Sequence, residues 1–325
     1  MGAYILRRLL YAIPILIGVN LLTFTLFFVV NTPDDMARLQ LGAKHVTPEA
    51  IERWKTEHGY DRPLLLNRDA AGMAQLTDTI FFRHSAAMFA FEFGKGDDGR
   101  DIGTEIRTRM GPSLAIALPV FVIGLLVNIS FALLMVFFRA SYLDLGGVVL
   151  CVVLMSISGL FYIIAGQYFI AKLWNLLPIS GFADGIDAWK FILLPVLVGV
   201  VSGIGGGARW YRTIFLEEIG KDYVRTARAK GLSEVRVLFR HVLKNGMIPI
   251  LTGVVVVLPL LFMGSLITES FFGIPGLGSY TIDAIQAQDF AVVRAMVFLG
   301  SFLYIAGLIL TDISYSWVDP RVRLQ

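Results

Sequence analysis

Asp222-Tyr-Val-Arg-Thr-Ala-Arg-Ala-Lys-Gly231-Leu-Ser-Glu-Val-Arg-Val-Leu-Phe-Arg-His-Val-Leu-Lys-Asn-Gly-Met-Ile-Pro249 is a polar, basic island in an otherwise apolar chain. It reads as helix, glycine stop, helix. The first helix covers roughly Asp222–Lys230, with good helix formers at Ala227, Arg228, Ala229 and Lys230. Gly231 supplies a residue that can turn left-handed and end it. Ser233 is placed to N-cap the second helix, and Glu234 puts an acid in its first turn, where the helix dipole favours one. Val235, Leu238, Phe239, Val242 and Leu243 follow at i, i+3, i+4, i+7 and i+8, one apolar face of that helix. Arg236, Arg240 and Lys244 lie off it.

Outward from this island the chain turns to hydrocarbon. Apolar residues make up 56% and charged residues 16% of the 325, and mean hydropathy is +0.70. Globular domains carry about a quarter charged residues, so the composition is that of an integral membrane protein. Six runs contain no Asp, Glu, Lys, Arg or His and approach spanning length: Leu9–Val30, Ser113–Phe138, Leu145–Ala171, Phe191–Ala208, Asn245–Thr268 and Ala295–Thr311. The fourth and sixth are short, and Trp210, Tyr211, Ile313 and Trp317 can extend them. Pro14, Pro119, Pro195 and Pro259 sit inside spans, where kinks are tolerated. The first run is too long for a signal-peptide core and reads as an uncleaved anchor. The lone Cys151 lies in an apolar run and reads as a small buried residue.

Lys and Arg in short loops set the orientation. Arg7, Arg8, Arg139, Arg321 and Arg323 share one side with Arg209 to Lys244, which holds nine Lys or Arg against four Asp or Glu. That side is cytoplasmic, so both termini are expected there. Residues 32–112 then face the other side. Within them Thr47-Pro48-Glu49 signals a helix start, running through Ile51 and Trp54 to Gly59, and Gly94–Gly99 is a turn-rich patch. The expected division is an N-terminal spanning helix at 1–31, an extracytoplasmic subdomain at 32–112, and a core of five spanning helices at 113–325 carrying a cytoplasmic loop at 209–248.

The sequence also narrows the chemistry. No G-x-x-x-x-G-K-[ST] is present, so there is no P-loop to cradle ATP. None of the four histidines lies in a span, which disfavours an intramembrane serine protease. No ionisable residue sits at mid-span, which disfavours proton-coupled secondary transport. Asp97, Asp98 and Asp101 lack the spacing of a calcium loop, and no metal site is expected. Gly199, Gly203 and Gly207 recur every four residues and form a helix-packing stripe, against either another helix of this chain or a second membrane subunit. The Asp222–Gly231 helix reads two ways on its residues alone. It is either a docking element for a partner or an interfacial amphipathic helix held to anionic lipid by its Lys and Arg.

The island resembles the cytoplasmic loop of binding-protein-dependent ABC importer permeases, which follows an E-A-A, three residues, G pattern. Ala227 matches the second alanine and Gly231 the glycine. Arg225 and Thr226 replace the E and the first A, and Lys244 stands where many members carry proline. Those departures look like the dipeptide/oligopeptide/nickel branch, with its R-T-A-R-A-K-G. The same branch's first permease is resembled by Tyr4-Ile-Leu-Arg-Arg-Leu-Leu with Ile13-Pro14, by Gly59-Tyr-Asp-Arg-Pro63, by Glu269-Ser-Phe-Phe-Gly-Ile-Pro-Gly-Leu-Gly278 and by Asp312–Arg321. Asn31–Asp34 lacks the branch's P-G-D-P, and Arg68–Phe93 has no counterpart.

The resemblance implies an all-α membrane protein of the type I ABC importer transmembrane fold, with six spanning helices, in the bacterial inner membrane. It implies no catalysis by this chain. A second, homologous permease would complete a heterodimer, two ABC ATPase subunits would bind ATP and Mg, and an extracytoplasmic binding protein would deliver the solute. No nucleic acid is expected. Asp222, Tyr223, Arg225, Thr226, Ala227, Arg228, Ala229, Lys230 and Gly231 would couple to the ATPase, with Tyr223, Ala227 and Gly231 aligned as a flat contact face. Glu269, Phe272, Pro275, Gly276 and Gly278 would form an outer loop or gate. Peptides are the first expectation for cargo. Nickel, a modified peptide or a small glycan-like solute stays open.

Overall fold

The computed structural model describes residues 2–28, 31–42, 47–183 and 185–318. Arg321 and Arg323 of the orientation argument lie outside them. In chain order the α-helices are α1 Gly2–Phe28, α2 Pro33–Leu41, α3 Pro48–His58, α4 Ala74–Thr77, α5 Ile80–Phe89, α6 Ile102–Phe137, α7 Tyr142–Ser156 and α8 Gly159–Gly166. They continue with α9 Ala188–Ile219, α10 Asp222–Ala229, α11 Glu234–Val237, α12 Lys244–Leu260, α13 Leu266–Phe272, α14 Leu277–Ala287 and α15 Phe290–Val318. Among the described residues the only β pairing is an isolated bridge between Lys95 and Asp101.

Five helices are long and apolar enough to cross a membrane, or six if one bent pair counts as a single span. The bent pair occupies the third expected run, Leu145–Ala171, with a break inside it. Tyr142–Ser156 and Gly159–Leu173 meet at 88°. Ile157 and Ser158 are extended there, with ψ of 128° and 142°. The Tyr162 hydroxyl donates to the Leu154 carbonyl at 2.8 Å and satisfies one group the break frees. Most other helices outrun their apolar runs. α6 begins eleven residues before Ser113, and α9 continues eleven residues past Ala208, through Arg209, Arg212, Glu217 and Glu218. Charge ends a span but not a helix.

The chain divides into two compact units, residues 1–107 with 283–305, and residues 108–282 with 306–325. The first is more than a loop. Pro48–His58 forms as the sequence predicts: the Thr47 hydroxyl accepts from Ala50 N–H at 3.3 Å, and Gly59 closes the helix at φ +69°. Ile51 and Trp54 bury against Phe24, Phe28, Met36, Tyr60 and Ile80. Phe28 stacks on Phe24 at 4.5 Å and meets Tyr60 edge-on at 5.0 Å. The Gly94–Gly99 patch is a tight reversal, with Gly96 N–H on the Arg100 carbonyl at 2.9 Å and Gly99 N–H on the Gly96 carbonyl at 2.9 Å.

The second unit has two main clusters. One joins Ile116, Ile163, Leu194, Val198 and Phe272. The other joins Ala132, Val136, Phe215, Val224, Val237 and Val242 and lies under the basic island. Cys151 is buried, packed with Met135 and Ala208.

Candidate coupling loop and candidate gate

The turn out of α9 is organised by Glu218. Its carboxylate accepts from the Lys221 ammonium and from the Tyr223 hydroxyl. Burial, and then the Glu218 bond, push the Tyr223 phenol up to about 12, so it stays a neutral donor. α10 then lays Val224 and Ala227 into the cluster formed by Phe215, Ile219, Val237, Leu238 and Val242. Full burial of a side chain such as Val224 contributes about 1.5–3 kcal/mol. The opposite face, Asp222, Arg225, Thr226 and Ala229, is exposed at i, i+3, i+4 and i+7, and Lys230 and Gly231 follow it.

This placement reorients the expected contact face. Ala227 is 4% exposed and faces the chain's own core, while Tyr223 is half-buried and held by Glu218. The single apolar residue beside it, Val224, anchors the helix, and its partners lie on three other elements that local periodicity does not reach. Gly231 has φ +76° and ends the helix as predicted, its N–H on the Arg228 carbonyl at 2.9 Å and Leu232 N–H on the Ala227 carbonyl at 3.3 Å. Arg228 is engaged within the chain: Nε and Nη2 donate to Glu234 at 2.7 and 3.1 Å. Ser233 stands at the N-cap position with extended backbone, but its side chain accepts no capping bond. The second helix does not stop before the fifth span. Glu234–Met263 is one helix, with a π-helical stretch at Leu238–Leu243. The break expected after Thr268 comes at Gly264, where φ is +66°.

Beyond that break, α13 carries Glu269, 1% exposed. Its carboxylate accepts from Ser265 N–H at 3.1 Å, Gly278 N–H at 2.7 Å and Ser279 N–H at 3.1 Å, and from the Ser113 hydroxyl. Burial pushes the carboxyl pKa up, and these four donors oppose that rise. Glycine makes the cage possible. A Cβ on Gly264 would lie 1.8 Å from Glu269 Oε1, and one on Gly276 would lie 2.2 Å from Oε2. A Cβ on Gly278 would lie 2.6 Å from the Ser265 carbonyl carbon. So Glu269, Gly276 and Gly278 are brought together, Phe272 is buried beneath them among Ile116 and Leu194, and Pro275 is exposed at the turn. A cavity of about 320 Å³ opens beside the cage, lined by Ser113, Pro195, Gly199, Leu261, Thr268 and Glu269.

The glycine stripe is split. Gly199 meets Val120, where a Cβ would lie 2.9 Å away, and Gly207 meets Asn128 at 2.4 Å, both on α6 of the same chain. Gly203 has open space. A close backbone approach on α9 falls at Gly205, off the stripe, where a Cβ would lie 2.6 Å from the Cys151 carbonyl oxygen. Three further participants were not legible from local sequence. Ser113 is just the first residue of an apolar run. Asp144 and Arg212 lie 68 positions apart yet form a two-bond fork at 2.9 and 2.8 Å that ties α7 to α9.

Residues 109–324 match the model of the family described as binding-protein-dependent transport system inner membrane component, and residues 1–82 match that family's N-terminal membrane component. The chain belongs to this family. The permease is 32% identical over 329 residues to a protein of Brucella abortus (strain 2308), whose name assigns it provisionally to a peptide transport system as permease; 99% of each chain is covered. It is 29% identical over 348 residues to the dipeptide transport system permease protein of Escherichia coli (strain K12), with 98% of each covered. It is 27% identical over 331 residues to the oligopeptide transport system permease protein of Bacillus subtilis (strain 168), covering 99% of this chain and 100% of that one. The permease is thus a multi-pass inner membrane protein, with the type I ABC importer transmembrane fold, and one component of a larger transport system.

Proposed function

We propose that the permease is one of two related membrane subunits of an ABC importer that brings peptides into the cytoplasm. Likeness over nearly its full length to relatives named for peptide, dipeptide and oligopeptide transport carries this reading. Two ATPase subunits bind ATP and Mg, and a binding protein hands over the peptide outside. This chain catalyses nothing and holds no cofactor. Both termini and the Arg209–Lys244 loop are cytoplasmic, and residues 32–112 face outward.

The exposed strip of α10, from Asp222 to Lys230, docks on an ATPase. Val224 and Ala227 hold it to a cluster that also contains residues of α9 and of the long Glu234–Met263 helix, so a push on the strip reaches two spans at once. The Glu269 cage is the outer gate. Gly203, unoccupied on its face, contributes to packing against the sister subunit.

Purification of the tagged permease from its own cells tests the assembly. An ATPase and a sister permease should copurify, and Arg225→Glu or Gly231→Asp should deplete the ATPase and abolish uptake of a labelled dipeptide. If both variants keep the ATPase and transport, α10 is not the docking element. Nickel uptake without dipeptide uptake would reassign the cargo.

A further inference from the structure

The N-terminal unit holds a cavity of about 500 Å³ that the proposed cycle does not use, within the size range of small-ligand sites. Arg294 lines it and is 4% exposed. A guanidinium so far from water is strongly unfavourable unless an anion faces it. Among the described residues no carboxylate forms an ion pair with Arg294. Its contacts are the Tyr60 hydroxyl, 3.3 Å from Nη2, and the Phe28 ring, whose centroid is 5.0 Å from the guanidinium carbon. Its Nε has no hydrogen-bond partner.

Two donors close to Arg294, Tyr60 and His84, line the same cavity, and Lys95 adds an ammonium to its wall. Tyr60 accepts from Arg294 and keeps its own proton to give. Burial, and then the Arg294 charge, hold the His84 pKa at about 3, so the ring is neutral and has one N–H to donate. The wall is not uniformly basic. Glu57, Glu92 and Asp97 also line the cavity. A chamber whose lining holds a guanidinium with neighbouring donors and also three carboxylates suits a molecule carrying both charges.

We propose that this cavity binds a small zwitterion, its carboxylate on Arg294, Tyr60 and His84 and its amino group toward Glu57, Glu92 and Asp97. The occupant is a short peptide with free ends; that choice rests on the peptide reading above, whereas the site itself does not. The site gives a peptide a resting place on the permease that is separate from the binding protein.

The test uses the permease with its partner subunits in lipid nanodiscs, without binding protein, titrated with Ala-Phe, with its C-terminal amide and with acetate. Saturable binding of Ala-Phe is expected, weakened about 10- to 100-fold by amidation and by Arg294→Gln, because each removes a charge-assisted contact. Tyr60→Phe removes one hydroxyl at almost constant volume and should weaken binding about 3- to 10-fold, which keeps the test sound if Arg294→Gln misfolds. Equal binding of acid and amide overturns the proposal, as does binding unchanged in Tyr60→Phe and Arg294→Gln. Absence of Ala-Phe binding up to about 10 mM also overturns it. Acetate binding without Ala-Phe binding overturns the peptide as occupant and keeps the anion site. Dipeptide uptake by the whole system is read separately: uptake without this binding removes the site and leaves the importer, and binding without uptake does the reverse.

Discussion

The guanidinium of Arg228 forks onto the carboxylate of Glu234, Nε at 2.7 Å and Nη2 at 3.1 Å, across the turn at Gly231. The pair locks α10 against the start of the helix that follows. Arg228→Glu should therefore weaken ATPase recovery, and adding Glu234→Arg should restore it. The pair is partly exposed, so its share of fold stability is only about 0.5–1 kcal/mol. If the double variant stays as poor as the single one, Arg228 serves a partner directly.

The Glu269 cage predicts an uneven glycine map. Gly276→Ala places a methyl 2.2 Å from a carboxylate oxygen and should destabilise the permease by about 1–3 kcal/mol, visible as a lower melting temperature in detergent. Gly203→Ala meets open space within this chain, so the permease isolated from its sister subunit should melt within error of wild type. Glu269→Ala strands buried N–H groups at about 1–3 kcal/mol each, and Glu269→Gln, which keeps one acceptor oxygen, should cost less. Equal melting of all four would remove the cage as a structural element.

Asp144 and Arg212 form a largely buried pair, with side chains 9% and 22% exposed. Removing one partner leaves a charge without its counter-ion, so Asp144→Ala should destabilise by about 3–5 kcal/mol. Asp144→Leu combined with Arg212→Met should recover most of that. A single variant that melts like wild type would show that apolar packing alone joins α7 and α9.

Asp97 gives the N-terminal unit a pH dependence. Burial and the neighbouring Asp289 push its pKa up to about 6, against the bond from Gln40 and the His58 ring nearby. The sign follows from a folded value above the unfolded 3.8: the stabilisation is complete below about 3.8 and is lost as pH rises through about 6. Corrected amide exchange across Gly94–Ile102 should slow as pH falls from about 7.5 to about 5, and Asp97→Asn should flatten the difference. A variant with the wild-type pH profile would assign the effect to other groups.

What the sequence disclosed and withheld follows from range. Apolar runs are local, so the spans were legible, as were the Thr47 cap and the Gly231 stop. The bend at Ser156–Gly159 was not. It is held by side chains such as Tyr162, whose role depends on where the backbone has already turned. Helices outrun the charge-free stretches wherever a charged flank keeps the helix going, as at Glu217 and Glu218. In the Glu269 cage, the Glu269–Gly278 motif is readable, whereas Ser113 and Gly264 complete it from outside the motif. Local spacing aligns Ala227 with Tyr223 and Gly231 on one contact face, whereas the cluster that draws it inward comes from other parts of the chain.

The continuity of Glu234–Met263 joins two places that sequence treats separately. Thirty residues at 1.5 Å each make a rod of about 45 Å, with Val237 buried under α10 near one end and Gly264 just past the other. Tilting such a rod by about 5° about its midpoint carries each end through about 2 Å. Ser265 and Glu269 belong to the same capped turn of α13, so the bond between them moves with that helix, and the rod's end meets the cage through Gly264, where a Cβ would lie 1.8 Å from Glu269 Oε1. If α10 docks a partner as proposed, a small stroke at the basic island is carried along this rod to the glycine beside the Glu269 carboxylate.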